Sequence, residues 1–318
     1  MPFTYDSIGF IGLGVMGFPM VKNLATKLSS STRIHVFDIS TQTVDRLVAE
    51  SEGRIASCSS SKDVADRSDI ILSMVPEGSH VRSVYLTPSS GVLSSNLTSK
   101  LLIDCSTIDA ATSLSVRSQI LEHYPTATFY DAPVSGGNLG AQRATLTFMV
   151  GCSSNNPQFP LLQDLLGMMG SSIFACGGPS LGLTAKLCNN YCSGLIAIAT
   201  SEAMNIGMRS GMDPRVLASI FHTSTAQSAI CDKWCPVPGI CPDAPASKGY
   251  QGGFKIQLMR KDFRLAVETA ERVGVKLALG ETGLKAYTDA MHDERCKDLD
   301  SRVIYRFLGG IEDWEKDF

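Results

Sequence analysis

The chain has 318 residues, 44% of them hydrophobic and 19% charged, with a formal net charge of −3 and a pI of about 6.0. A chain of this length and composition can form two domains, each with its own hydrophobic core. The near-neutral charge comes without a stripe of basic residues interleaved with aromatics, which argues against a nucleic-acid partner. The most apolar segment, residues 191–207, includes Glu202 and other polar residues, so it predicts a buried helix and no membrane span.

The N-terminal segment predicts a strand, a glycine turn and a helix in that order. A short apolar run, residues 7–11, leads into Gly12-Leu13-Gly14-Val15-Met16-Gly17, after which apolar residues recur with helical spacing. In such a turn the first glycine permits the sharp bend, the second lets the backbone approach a pyrophosphate, and the third lets the helix pack on the strand. All six turn residues are therefore candidate contacts of a dinucleotide cofactor.

The second predicted strand, residues 33–37, is followed by Asp38, where an acidic residue is expected to hold the adenosine ribose. A carboxylate at this position accepts hydrogen bonds from the 2′ and 3′ hydroxyls and repels a 2′-phosphate. The sequence therefore predicts NAD as the cofactor in preference to NADP. The alternative is that Asp38 only caps the turn through Ser40 and Thr41.

Short apolar runs that end in polar or turn residues predict further strands of a parallel sheet; they cover residues 69–76, 101–107 and 128–132. Ligands bind beyond the carboxyl ends of the strands in an open sheet of this kind. Val75, Pro76 and Thr107 are therefore candidate cofactor contacts, and the alternative for each is an ordinary loop residue.

Two later apolar runs, residues 145–150 and 173–176, are expected to extend the same sheet, and the pattern from Leu181 onward is almost entirely helical. The sequence thus predicts an α/β fold, in which a doubly wound Rossmann-type parallel sheet is followed by an all-helical C-terminal domain. The expected ranges are residues 1–178 for the dinucleotide-binding domain and residues 179–318 for the helical substrate domain.

The segment Ser135-Gly136-Gly137 follows a predicted strand with a hydroxyl and two residues without side chains. Successive free backbone N–H groups at such a turn form a concave anion site, which suits a carboxylate or a phosphate. No histidine and acid are placed to activate Ser135 as a nucleophile, so a role in holding a substrate carboxylate is the better interpretation. The alternative is an ordinary glycine turn.

Lys186 and Asn190 stand four residues apart in a segment that predicts a helix, so their side chains emerge on one face and can converge on one small polar group. An apolar run, residues 195–199, follows them. A partly buried lysine beside an amide can exchange protons with a bound hydroxyl. The alternative is a surface lysine with a capping asparagine.

Residues 234–253 are rich in proline and glycine and predict a long packed loop. Lys261 follows on a predicted helix from which it could reach a cofactor or substrate, and the alternative is a solvated helix lysine. The ten cysteines show no CxxC pair and the histidines are scattered, so the sequence predicts no metal site. An intracellular chain of this kind also disfavours disulfides.

Four segments in chain order resemble the signatures of the β-hydroxyacid dehydrogenase family: residues 12–17, residues 131–137 with 145–151, residues 182–190, and Lys261-Asp262. The resemblance implies that Lys186 is the catalytic general acid and base. It also implies that Asn190 and Ser135-Gly136-Gly137 hold the substrate and that Lys261 reaches the nicotinamide region. His80 stands at a position that lies near the cofactor in the family, where asparagine often appears.

The activity implied by the resemblance is NAD-dependent oxidation of a short 3-hydroxy acid by a homodimer or homotetramer that assembles through the helical domain. Two alternatives stay open: an NADPH-dependent reductase of glyoxylate or succinic semialdehyde, for which Asp38 is unfavourable, and a dinucleotide-binding module without catalysis. The resemblance to this family implies that the protein is located in the mitochondrial matrix. Only a few residues precede the first strand and they show no transit peptide, so a cytoplasmic location is also open.

Overall fold

The computed structural model describes residues 6–316. Internal contacts divide the chain into two compact units, the first up to Lys186 and the second from Leu187 onward. Across the described range, every helix is too short or too polar to cross a membrane.

The first unit is built on a six-stranded parallel sheet with the strand order β3-β2-β1-β4-β5-β6. Its strands are β1 (Ser7–Ile11), β2 (Arg33–Phe37), β3 (Ile55–Ser57), β4 (Ile70–Ser73), β5 (Leu101–Asp104) and β6 (Thr128–Asp131). The chain starts in the middle of the sheet and winds outward in both directions, which is the Rossmann arrangement. The predicted doubly wound α/β fold is confirmed.

The helices of the first unit are α1 (Gly17–Lys27), α2 (Thr41–Ala49), α3 (Ser61–Asp66), α4 (Gly78–Leu86), α5 (Ala110–His123), α6 (Gly137–Gln142) and α7 (Phe159–Gly167). Side-chain caps start several of them: Ser40 accepts the Thr43 N–H at α2, and Asp109 accepts the Thr112 N–H at α5. Met20 and Leu24 on α1 are fully buried against the sheet, as the helical spacing of apolar residues requires.

The expected extension of the sheet by residues 145–150 and 173–176 is wrong. These residues form a separate three-stranded sheet with the order β7-β8-β9, made of β7 (Val134–Ser135), β8 (Leu146–Val150) and β9 (Gly170–Ala175). The last hydrogen bond from the end of β6 to β5 is the one that the Ala132 N–H donates to the Asp104 carbonyl, and the carbonyl of the next residue, Pro133, already accepts the Met149 N–H of β8. The chain leaves the first sheet there, and β7 pairs with β8 in antiparallel orientation.

The second unit is helical, as predicted. Its helices are α8 (Leu181–Arg209), within which the division between the units falls, α9 (Pro214–Thr223), α10 (Ala229–Lys233), α11 (Ile256–Arg272), α12 (Gly280–His292) and α13 (Ile304–Phe307). Phe263 of α11 packs against the rings of Tyr191 and Tyr287. The proline-rich loop is packed, because the buried Tyr250 hydroxyl donates to the carbonyl of Pro236.

A buried polar network lies at the carboxyl ends of β4 and β5. Asp104 Oδ1 accepts hydrogen bonds from Ser73 Oγ at 2.8 Å and from Ser106 Oγ at 2.6 Å. The other carboxyl oxygen, Oδ2, has no hydrogen-bond partner within residues 6–316. Burial raises the pKa of Asp104 to about 6, although the hydroxyls of Ser106 and Ser73 act in the opposite direction.

We expect Asp104→Asn to stabilise the protein more at about pH 7.5 than at about pH 5. The folded state of the wild type binds the Asp104 proton more tightly than the unfolded chain does. This contribution to stability is therefore lost as the pH rises through about 6, whereas the amide does not titrate. Thermal unfolding of both proteins at the two pH values measures the effect. If the difference in Tm between variant and wild type is the same at both pH values, the raised pKa of Asp104 is contradicted.

Candidate active site

The glycine turn between β1 and α1 shows the three steric requirements of a dinucleotide-binding turn. Gly12 has a φ of +94°, and a Cβ there would overlap the carbonyl oxygen of Met74. A Cβ on Gly17 would overlap the carbonyl oxygen of Gly12, so this glycine permits the close packing of α1 on the turn. At Gly14 a Cβ would meet nothing within 4 Å. The backbone at Gly14 thus leaves the space that a pyrophosphate needs.

Asp38 lies directly beside this turn. Its Oδ2 accepts a hydrogen bond from the Leu13 N–H at 2.6 Å, and its Oδ1 accepts one from the Ser40 N–H at 2.7 Å. The structure therefore brings together the glycine turn and the proposed ribose acceptor, which are separated by 25 residues in the sequence. The turn-capping contact that formed the alternative interpretation is also present, through Ser40. Ile39, the next residue, is 91% exposed.

The remaining candidate cofactor contacts of the first unit lie at the carboxyl edge of the sheet. Val75 and Pro76 follow β4, Thr107 follows β5, and His80 is an exposed residue of α4. The N–H of Val75 donates to Ser106 Oγ at 2.9 Å. The sequence analysis did not single out Ser106, although it lies within the predicted strand segment 101–107, next to the candidate Thr107.

Ser135, Gly136 and Gly137 form the turn that leads from β7 into α6. Gly136 has a φ of +133° and Gly137 a φ of +62°, so both occupy backbone conformations that strongly favour glycine. Ser135 pairs with Thr147 of β8, which holds the start of the turn in the small sheet. The structure thus confirms a glycine-dependent turn at this place, and its use as a site for a substrate carboxylate stays a prediction.

Lys186 and Asn190 lie one turn apart on α8 and are buried, with 7% and 6% of their surface exposed. The alternative of a surface lysine with a capping asparagine is therefore excluded for this pair. Asn190 Nδ2 donates a hydrogen bond to Asp262 Oδ2 at 2.6 Å. Lys261 Nζ lies 3.1 Å from Asp262 Oδ1. The Lys261 ammonium group and the Asp262 carboxylate therefore form an ion pair, but not a hydrogen bond.

Asp262 is the residue that joins two predicted site residues in the second unit, and the sequence did not single it out for this role. It is 1% exposed and carries a carboxylate that can only accept hydrogen bonds. The NH₂ group of Asn190 must therefore face Asp262, which determines the orientation of the amide. Asn189 Nδ2 donates to the amide oxygen of Asn190 at 3.1 Å. The signal available beforehand was the adjacent Lys261-Asp262 pair.

Comparison with known proteins assigns both parts of the chain. Residues 7–178 match the family model described as the NAD binding domain of 6-phosphogluconate dehydrogenase. Residues 181–308 match the model described as NAD-binding of NADP-dependent 3-hydroxyisobutyrate dehydrogenase. The fold, the glycine turn and these matches define an oxidoreductase with NAD(P)-binding domains.

Individual relatives agree with these matches. The chain is 41% identical to a probable mitochondrial 3-hydroxyisobutyrate dehydrogenase of Dictyostelium discoideum, over 95% of this chain and 90% of that protein. It is 38% identical to the 3-hydroxyisobutyrate dehydrogenase of Pseudomonas aeruginosa, over 90% of this chain and 94% of that protein. The solved structure of 3-hydroxyisobutyrate dehydrogenase from Mycobacterium tuberculosis with L-serine has a TM-score of 0.84 and 30% identity, covering 96% and 99% of the two chains. The chain belongs to the β-hydroxyacid dehydrogenase family, within the group of 3-hydroxyisobutyrate dehydrogenases.

We expect Asp262→Ala to lower the free energy of unfolding by about 3 kcal/mol, because it removes a buried charge that both Lys261 and Asn190 contact. Urea unfolding measures the loss. A matched control on the same helix is Glu268→Ala, which removes an exposed ion pair with Arg264 and should cost less than about 0.5 kcal/mol. Equal losses in the two variants would show that Asp262 does not organise this cluster.

Proposed function

We propose that the protein catalyses the NAD-dependent oxidation of 3-hydroxyisobutyrate to methylmalonate semialdehyde, a step of valine breakdown. The observation that carries the proposal is the buried Lys186 on α8, one turn before the buried Asn190, in a chain of this family. A lysine removed from bulk water beside an oriented amide is suited to proton exchange with a substrate hydroxyl. A binding module without catalysis would have no use for this arrangement.

In the proposed mechanism, Ser135 and the backbone N–H groups at Gly136 and Gly137 hold the substrate carboxylate. Asn190 orients the hydroxyl on C3, and Lys186 accepts its proton as the C3–H bond is broken. Bound NAD supplies the acceptor for the hydride that leaves C3. In the reverse direction Lys186 donates the proton to the aldehyde oxygen. Its cationic form also stabilises developing negative charge on that oxygen.

The substrate class has support from two sides. Relatives that align over most of this chain are named 3-hydroxyisobutyrate dehydrogenase, among them the enzymes of Dictyostelium discoideum and Rattus norvegicus. The Mycobacterium tuberculosis structure was determined with L-serine, which also carries a carboxylate and a hydroxyl on C3. Both compounds match an anion site at Ser135 to Gly137 together with a proton-transfer group at Lys186.

The cofactor preference is proposed from Asp38. Its carboxylate stands beside the glycine turn, where it can accept hydrogen bonds from ribose hydroxyls and repel a 2′-phosphate. The alternative is NADP, and the description of the matched second-unit family as NADP-dependent favours it. Lys261, Val75, Pro76, His80 and Thr107 are proposed as further cofactor contacts.

Assembly and compartment are proposed from similarity and from the surface of the second unit. Ile206, Val216 and Ile220 are large apolar side chains that are exposed on α8 and α9. Such side chains support a homodimer or homotetramer that buries them. The relatives from Dictyostelium discoideum and Rattus norvegicus are mitochondrial, which supports the mitochondrial matrix as the compartment.

We expect Lys186→Ala to lower kcat for 3-hydroxyisobutyrate by at least about 100-fold, because the hydroxyl proton loses its acceptor. The dissociation constant for NAD, measured by fluorescence titration, should change by less than about 2-fold, since Lys186 is assigned to the substrate. Lys285→Ala, which removes an exposed lysine of α12, is the control and should retain full activity. A Lys186→Ala enzyme with near-normal kcat would overturn the assignment.

Cofactor preference should depend on the charge at residue 38. We expect the wild type to prefer NAD, and Asp38→Ser to lose kcat/KM with NAD and gain it with NADP. Adding Ile39→Arg at this exposed position should strengthen the shift, because a guanidinium offers the 2′-phosphate a bidentate partner.

The matched control for charge alone is Asp45→Ser, which removes an exposed carboxylate of α2 and should leave the NAD to NADP ratio unchanged. All variants are compared at one ionic strength. A wild type that favours NADP, or an Asp38→Ser variant with an unmoved ratio, would show that Asp38 does not select the cofactor.

A further inference from the structure

Asp131, the last residue of β6, is buried at the start of α8. Its Oδ1 accepts a hydrogen bond from the Ser180 N–H at 2.8 Å, and its Oδ2 accepts one from the Leu183 N–H at 3.0 Å. N–H groups in the first turn of a helix have no acceptor within the helix itself. A strand residue about 50 positions earlier in the chain therefore caps the helix that carries Lys186.

Two glycines make room for this carboxylate. A Cβ on Gly151 would overlap Asp131 Oδ1, and a Cβ on Gly182 would lie 2.8 Å from Asp131 Oδ2. Gly182 is also close to the carbonyl oxygen of Met149, which a Cβ would overlap. Asp131 and the first turn of α8 can therefore approach each other this closely only because Gly151 and Gly182 have no side chains.

The electrostatics of the contact are those of a buried charge met by donors. Burial raises the pKa of Asp131, and the backbone N–H groups of Leu183 and Ser180 act against that rise. An anion at a helix N-terminus is also favoured by the helix dipole. The N–H groups and the dipole of α8 therefore stabilise the carboxylate, and the carboxylate in turn stabilises the first turn of α8.

The segment that begins with Asp131 also carries the proposed carboxylate site. Ser135 lies four residues further on, and the intervening backbone is bound to β8 and to the residue that follows it. The Gly151 N–H donates to the Asp131 carbonyl at 2.7 Å, and the Met149 N–H donates to the Pro133 carbonyl at 3.0 Å. One rigid piece of chain therefore leads to Ser135 through its backbone and holds the start of α8 through the Asp131 side chain.

We propose that Asp131 is a positioning residue, which sets the place of Lys186 relative to Ser135, Gly136 and Gly137 by tying the first turn of α8 to the segment that carries them. This inference rests on the proposed function of Lys186. Lys186 lies three residues beyond Leu183, so a shift of that first turn moves the lysine with it. Small displacements of this kind are costly, because proton transfer requires groups within hydrogen-bond distance.

The main test is Asp131→Asn, which keeps the volume of the side chain but offers one acceptor oxygen where two are needed. We expect kcat to fall at least about 10-fold, and the pH dependence of kcat to shift, while the dissociation constant for NAD changes by less than about 2-fold. Ser60→Ala removes a cap from α3, which carries no proposed site residue, and should leave kcat unchanged. An Asp131→Asn enzyme with wild-type kcat and pH profile would overturn the inference.

A second variant approaches the same contact from the helix side. Gly182→Ala leaves the carboxylate intact but crowds it, and it should reduce kcat in the same way. If Asp131→Asn or Gly182→Ala folds poorly, amide hydrogen exchange of the wild type still tests whether Asp131 caps the first turn of α8. The Leu183 N–H, which would be unprotected in an uncapped first turn, should exchange slowly. Rapid exchange at Leu183 would show that Asp131 does not hold the helix.

A readout without turnover separates this inference from the proposed function. Acetylation of Lys186 by an amine-reactive ester, measured by mass spectrometry, should be slow in the wild type and faster in Asp131→Asn, with the exposed Lys285 as internal reference. A wild type that oxidises no hydroxy acid would refute the function and leave the labelling result standing. Unchanged labelling of Lys186 in Asp131→Asn would refute the positioning role.

Discussion

A carboxylate that is buried must be met by hydrogen-bond donors or by a positive charge, and this requirement organises the parts of the chain that concern function. Asp104, Asp131 and Asp262 are all almost completely buried. Each is met by groups from segments that carry proposed site residues, and Asp104, whose Oδ2 has no hydrogen-bond partner within residues 6–316, shows the cost of burial as a pKa raised to about 6. Asp104 binds Ser106, which holds the turn at Val75; Asp131 binds the first turn of α8; and Asp262 contacts Asn190 and Lys261.

These aspartates do not belong to the set of groups that are proposed to touch the substrate. Their importance lies in the cost of leaving a buried charge without partners, which is of the order of a few kcal/mol and therefore comparable to a large fraction of the stability of a domain. A displacement of the first turn of α8 or of Asn190 would separate a carboxylate from a donor, and a displacement of the Val75 turn would break its hydrogen bond to Ser106, which itself donates to Asp104. The same energy that stabilises the fold thus restricts the movement of the proposed site.

A second recurring feature is the close approach of two backbone segments at a glycine. At Gly12, Gly17 and Gly182 an added Cβ would overlap a backbone carbonyl, whereas at Gly14 it would meet only open space. The difference separates glycines that permit packing from the one that leaves room for a ligand. The sequence predicted these roles for the turn at Gly12 to Gly17 because strand, turn and helix follow each other directly. It did not predict the role of Gly182, whose neighbours come from a distant strand.

The sequence by itself determined the features that depend on neighbouring residues: the Rossmann order of strands and helices, the glycine turn, and the placement of Lys186 and Asn190 on one face of a helix. These follow from periodicity and from the conformational range of glycine, which are local properties. The tertiary structure decided the separate sheet after Pro133 and the partners of the buried groups. Asp262 meets Asn190 across 72 residues of sequence, and Asp131 meets Leu183 across 52. No local pattern specifies such pairs, because each depends on how whole elements pack.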